Sequence, residues 1–242
     1  MRLHVIPSPY YGANAMVIVA PSASDARRAL IVDPSTGVLD ALRAILDAEG
    51  ATVDGVLLTH GHPDHVWDSA EVARWADNGA APVWIPGPDR YRMDDPLASI
   101  AGLPAGIELS PWERPQSLRD MPAGSVELIG GLWMKMVPAP GHTEGSALFI
   151  AHTELEVCHD GAPLITSTMP VPWALSGDVI FAGSVGRTDL IGGDETQMRH
   201  SLRTVANALD PATILFPGHG PTTTLGDELK TNPYLLRACR LG

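Results

Sequence analysis

Val53-Asp54-Gly55-Val56-Leu57-Leu58-Thr59-His60-Gly61-His62-Pro63-Asp64-His65 decides the reading of this chain. Its first seven residues have the Val/Leu content of a buried strand. The strand stops in a short run where four residues, His60, His62, Asp64 and His65, are metal-ligand types. Gly61 and Pro63 hold a compact turn, so the four side chains can converge at a strand end, where α/β proteins place reactive groups. Imidazole and carboxylate are the donors that zinc, iron or manganese take. A lone histidine at a strand end is an ordinary polar surface residue; this density of ligand types is not.

Three further strand–loop junctions carry ligand types. Pro140-Gly141-His142-Thr143-Glu144-Gly145 and Phe216-Pro217-Gly218-His219-Gly220 each present a histidine, and Ser176-Gly177-Asp178 presents a carboxylate. Around them, apolar runs at 16–20, 30–33, 53–59, 82–85, 146–151, 178–182 and 213–216 read as strands, with a polar turn at 22–25. Runs 125–129 and 132–138 flank Gly130-Gly131 as a hairpin. Helical spacing predicts helices over 38–48, stopping at Gly50, over the segment after His65 to about Asn78-Gly79, and over 194–209, which opens on Asp194 and Glu195 as the helix dipole prefers. A short helical tail covers about 225–241. Residues 86–122, rich in Pro and Gly, read as an irregular connection with short helices lying over one face. Together with the Tyr10-Tyr11-Gly12 turn, this segment, Arg92 included, is expected to shape a substrate pocket. Residues 151–176 read as an insertion without a motif.

The chain has 242 residues, 45% of them hydrophobic, enough for one α/β domain with a real core. A formal charge of -12 repels phosphate backbones and argues against nucleic acid. Cys158 and Cys239 have no metal-ligand spacing and read as incidental thiols. The N-terminus lacks a signal-peptide pattern and no stretch is apolar enough to span a bilayer, so the expectation is a cytoplasmic protein that binds no membrane. His4, His152, His159 and His200 stand outside the pattern and read as surface or core residues.

The series HxHxDH, GHTxGS, SGDVIF, GRTD and PGHG resembles the metallo-β-lactamase superfamily, and within it the glyoxalase II-like (hydroxyacylglutathione hydrolase-like) short bacterial branch. The resemblance runs from about Met16 to the tail. It implies an α/β fold, an αββα sandwich of two mixed sheets flanked by helices, as one domain over 1–242. It also implies two divalent metal ions, zinc first, with iron or manganese as alternatives. One would be held by His60, His62 and His142, the other by Asp64, His65 and His219, with Asp178 and a water bridging both. Asp64 would also orient that water. Asp33, at the end of a neighbouring strand, and Thr59 are expected to fix ligand imidazoles. Arg187 and Asp189 match the pattern after the bridging carboxylate and read as an ion pair bracing that loop.

A small acyl-thiol is the favoured substrate, because a thiolate of pKa about 8.5 departs without help from a general acid. Many zinc β-lactamases carry cysteine where this chain has Asp178. Ser146 stands where the glyoxalase II pattern has a second histidine, and 23 residues follow His219, which places glutathione as the carrier in question. Two alternatives accompany this reading: a persulfide dioxygenase with a single iron on His60, His142 and Asp178, and a non-catalytic binding module on the same fold. Nothing in the sequence indicates an oligomeric state.

Overall fold

The computed structural model describes residues 1–21, 27–100, 109–159 and 162–240; the turn expected at 22–25 lies outside them. The strands are β1 (Arg2–Pro7), β2 (Asn14–Val19), β3 (Arg27–Val32), β4 (Ala51–Leu57), β5 (Val83–Ile85), β6 (Leu118–Asp120), β7 (Ser125–Ile129), β8 (Leu132–Pro138), β9 (Ala147–His159), β10 (Ala162–Gly177), β11 (Ile214–Pro217) and β12 (Thr223–Thr224). They hydrogen-bond in the order β12-β11-β10-β9-β1-β2-β3-β4-β5-β6, and the β7–β8 hairpin joins through β8 to β9. β9 is the joint. Its first residues, Ala147–Ile150, pair with β8, and its last, Glu156–His159, run parallel to Arg2–Val5 of β1.

Side-chain alternation along the strands makes three apolar layers. Leu3, Ile18, Leu30, Val32 and Leu57 from one half of the sheet meet Met134, Phe149, Leu155, Trp173 and Phe216 from the other. The opposite faces of β2–β4, with Val17, Ile31 and Val56, pack against Leu42 and Leu46 of α1 (Leu39–Glu49) and against Val66 and Val72 of α2 (Pro63–Val66) and α3 (Ser69–Ala73). Leu148, Ala174 and Leu215 pack against Met198, Leu202 and Val205 of α4 (Glu195–Ala208) and Leu235 of α6 (Pro233–Arg240), with α5 (Leu225–Thr231) alongside. The expected layering of helices, mixed sheet, mixed sheet and helices is the fold observed, with the two sheet layers hydrogen-bonded through β9 into one continuous sheet. Among the described residues no helix is long and apolar enough to cross a membrane.

Four expectations need correction. Residues 151–176 are no insertion: they are most of a long β9–β10 hairpin. Its pattern is hidden by prolines and by register shifts at Pro163/Ile165 and Ser167/Val171. Residues 178–182 are a turn, with Phe181 and Ser184 bonded to each other; Val179 and Ile180 are apolar because they sit beneath α4. The helix after His65 is two short ones ending at Ala73. The Asp68 amide leaves the helical ladder to donate to the Pro34 carbonyl at 3.0 Å, and α3 starts afresh from Asp68. Within 86–122, two 3₁₀ turns at Gly87–Met93 and Pro96–Ser99 are joined by the unforeseen strand β6, which extends the parallel edge beside β5.

Candidate metal centre

All seven expected ligands come together at one end of the sheet. β4 delivers His60, His62, Asp64 and His65, the β8–β9 loop His142, the end of β10 Asp178, and the end of β11 His219. His62 Nδ1 lies 3.2 Å from His60 Nε2 and 2.8 Å from His142 Nε2. Beside this triad, His65 Nε2 lies 3.3 Å from His219 Nε2, and Asp64 Oδ2 is 3.7 and 3.4 Å from those two nitrogens. Asp178 stands between. Its Oδ2 is 3.3 Å from His142 Nε2 and 3.5 Å from His219 Nε2, and its Oδ1 is 3.5 Å from His65 Nε2.

These residues fit a pair of cations. Ligand atoms about 2.0–2.1 Å from a tetrahedral ion stand roughly 3.3 Å apart, the spacing seen here. Converging ring nitrogens cannot all find protons and acceptors in one another. Asp178 Oδ1 is buried without a hydrogen-bond partner, as a ligand atom facing an ion would be. The electrostatics agree. Burial and the neighbouring imidazoles hold His60 well below the ordinary histidine range, and burial with His142 takes His62 down to about 2. His65 goes the other way. Burial opposes its charge, but Asp64, Asp178 and Asp33 outweigh burial and raise it to about 10. Asp64 stays ionised, because His65 and His219 overcome the cost of its burial. The carboxylates thus hold a positive charge at the centre, on His65, and a bound cation would take that charge's place.

Hydrogen bonds set which nitrogen each histidine offers. Asp33 Oδ1 accepts from the Thr59 amide, and its Oδ2 accepts from the Thr59 hydroxyl, both at 2.7 Å. The same Oδ2 accepts from His65 Nδ1 at 2.9 Å, which leaves His65 Nε2 to the centre. The Thr59 hydroxyl, donating to Asp33, can then only accept from His60 Nδ1 at 3.1 Å. The Arg187 carbonyl accepts from His142 Nδ1 at 2.7 Å. Arg187 thus touches the centre through its backbone, while its exposed guanidinium grips Asp189 with two 2.7 Å bonds. Asp33 adopts a left-handed φ of 45°, a conformation that Asp tolerates and that aims its carboxylate at Thr59 and His65.

Sequence reading missed two residues. Asp89, fully buried, accepts from the Gly61 and Gly145 amides and the Thr143 hydroxyl, each at 2.7 Å, and so ties the His60–His62 turn to the His142 loop. It lies in an irregular segment with Arg92 Nε 3.4 Å away as a local ion-pair partner, and nothing in that pair announces the role. Asn14 sends its amide to the Pro217 and Gly220 carbonyls at 3.0 and 2.8 Å, stitching the Tyr11 turn to the His219 loop. The surrounding glycines leave room. A Cβ on Gly61 would meet Arg92 Cδ at 2.7 Å, and one on Gly218 would meet Asp178 Oδ1 at 2.1 Å.

A cleft of about 580 Å³ opens above the centre. His62, Asp64, His142, Asp178 and His219 form its floor. Tyr11 lines it, as expected of that turn, and so does Ile100. Arg92 does not: it is buried, donating to Glu144 and to the Ile191 carbonyl, and it braces the loops instead. Ser146 is also buried, bonded through its hydroxyl to the Thr143 amide and hydroxyl.

Comparison with known proteins places this geometry. The family model for the Metallo-beta-lactamase superfamily matches residues 10–152, and the chain belongs to that superfamily. The chain is 28% identical over 240 residues to the hydroxyacylglutathione hydrolase GloC of Haemophilus influenzae, covering 97% of this chain and 98% of that protein. Two solved structures share the fold closely. BLEG-1 B3 metallo-β-lactamase has a TM-score of 0.71 at 27% identity, over 96% of this chain and 99% of that one. TTHA1623 in a di-iron-bound form has a TM-score of 0.69 at 29% identity, over 95% and 98%.

Proposed function

We propose that the chain is a two-metal hydrolase of small acyl-thioesters, with His60, His62 and His142 holding one ion, Asp64, His65 and His219 the other, and Asp178 shared. The observation that carries this reading is the pair of adjacent ligand triads, made only of nitrogen and oxygen donors, with the buried Asp178 carboxylate between them. A pair of divalent ions bound there would supply an acidified water and a Lewis acid for the substrate carbonyl. Zinc, iron and manganese all suit the donor set.

The chain's own groups supply the rest. Asp64, kept ionised, can accept a hydrogen bond from the attacking water and aim it. Asp33, Thr59 and the Arg187 carbonyl fix the imidazoles, so the site needs little rearrangement during the reaction. Burial and the Asp64 carboxylate raise the Tyr11 phenol pKa, so this cleft residue stays protonated and serves as a hydrogen-bond donor. The cleft offers no strong general acid among its described residues, which suits a thiolate leaving group better than an amine.

One purified, metal-supplemented sample tests the proposal in four assays: metal content, hydrolysis of S-lactoyl thioesters, hydrolysis of a β-lactam, and oxygen uptake with a persulfide. Two metal equivalents with thioester turnover support it. A single iron with persulfide-dependent oxygen uptake points to a dioxygenase, and β-lactam turnover exceeding thioester turnover points to a lactamase; either result overturns it.

A further inference from the structure

The walls of the cleft, as distinct from its floor, bear on the substrate's thiol carrier. They are formed by Tyr11, Ile100, Phe181, Val185 and Leu190, with Arg187 as the one cation among the described lining residues. That cation is already engaged: Asp189 takes both its Nε and a terminal nitrogen at 2.7 Å. Arg92, close in the fold, is buried against Glu144 and the Ile191 carbonyl. Ser146 is turned into its own loop and away from the lining. A carrier with two carboxylates would therefore enter an apolar-walled cleft, on a chain of charge -12, and meet no uncommitted cation among the described residues.

We infer that the natural substrate is a thioester of an uncharged thiol carrier with an apolar body, and that glutathione thioesters, which the Haemophilus relative is named for, are poor substrates here. The inference rests on the thioesterase reading above. Phe181, Val185 and Leu190 would cover the carrier's carbon skeleton, and the Tyr11 hydroxyl would supply a hydrogen bond. In the reaction the water oxygen bonds to the acyl carbon and the carbon–sulfur bond breaks. The products are a carboxylate and the neutral thiol, with one proton released to solvent.

The test compares S-lactoylglutathione with S-lactoyl-N-acetylcysteamine, which share the acyl group, on the metal-loaded enzyme. Each kcat/KM is divided by that ester's own hydroxide-catalysed rate. The neutral carrier is expected to lead by about tenfold or more, the cost of partly desolvating a carboxylate that finds no charged partner. Two variants make the difference causal. Leu190→Arg adds a cation to the wall, and Asp189→Asn, at an exposed position, releases Arg187. Each should raise kcat/KM for the glutathione ester several-fold and leave the neutral ester behind. Wild-type enzyme that uses the glutathione ester as well as the neutral one, or variants that bind metal normally without shifting the preference, would overturn the carrier assignment while thioesterase activity stands. No turnover of either ester at full metal content would remove the thioesterase reading, and this inference with it.

Discussion

Replacing Asp33 with asparagine separates the charge of one side chain from its shape. The residue is buried and left-handed, and asparagine tolerates that backbone as well as aspartate does, so the fold should persist. The Thr59 amide at 2.7 Å requires an oxygen at the Oδ1 position. The NH₂ of the introduced side chain must then occupy the Oδ2 position, facing the Thr59 hydroxyl and His65 Nδ1, which lie 2.7 and 2.9 Å away. A donor there makes Nδ1 an acceptor and sends the imidazole proton to Nε2, the atom that faces Asp64, Asp178 and His219. His65 would present a proton to the centre where it should present a lone pair. Groups of this kind typically contribute 10–100-fold in metal affinity, or about 1.4–2.7 kcal/mol. The loss should fall on the ion of Asp64, His65 and His219 and spare the other. Competitive metal titration gives the two affinities, and nitrogen NMR of the zinc-loaded protein gives the tautomer. Asp33→Asn that binds both equivalents as tightly as wild type, with His65 still protonated on Nδ1, would refute the reasoning.

Asp178→Asn keeps the shape of the shared ligand but removes its charge; kcat should fall by on the order of 10² or more, with loss of bound metal by elemental analysis. Asp89→Ala would strand the Gly61 and Gly145 amides and the Thr143 hydroxyl; urea unfolding should show destabilisation of about 3–5 kcal/mol. Asp68 titrates at about 6 because of burial and then Glu71, against a Gly37 backbone hydrogen bond that favours its ionised form. A carboxyl pKa raised on folding leaves its stability intact below the unfolded value of about 3.8 and loses it as pH rises through about 6. Asp68→Asn escapes that loss, so its melting temperature should exceed wild type above about pH 6, by a free energy of at most about 3 kcal/mol. The two proteins should converge below about pH 4, and a gain that persists there would contradict the assignment.

The sequence alone was sufficient for the ligand types and for many of the strands, because these follow from local patterns; the layered arrangement was legible only through the family resemblance that the motif series carries. Val/Leu runs that end in Gly/Pro turns mark strand ends, and histidines and aspartates crowded at those ends are rare without a metal. His60, His62, Asp64 and His65 can converge because one short turn holds them, and Asp33 was legible as a strand-end acid close enough to orient an imidazole. What the sequence missed depends on distant partners. The β9–β10 hairpin escaped notice because bulges and prolines break its alternation, and only pairing with β1, β8 and β11 makes it a strand pair. Residues 178–182 look like a strand because Val179 and Ile180 are buried, yet burial beneath a helix and burial in a sheet leave the same apolar trace. Arg92 looked like a pocket cation until its partners, Glu144 and the Ile191 carbonyl, turned it inward. Asp89 has no local signature, since its three donors come from the distant Gly61 and His142 loops. Local chemistry is written in neighbouring residues and can be read from them; a side chain whose role is set by groups far along the chain acquires it only when the tertiary structure brings those groups within hydrogen-bonding distance.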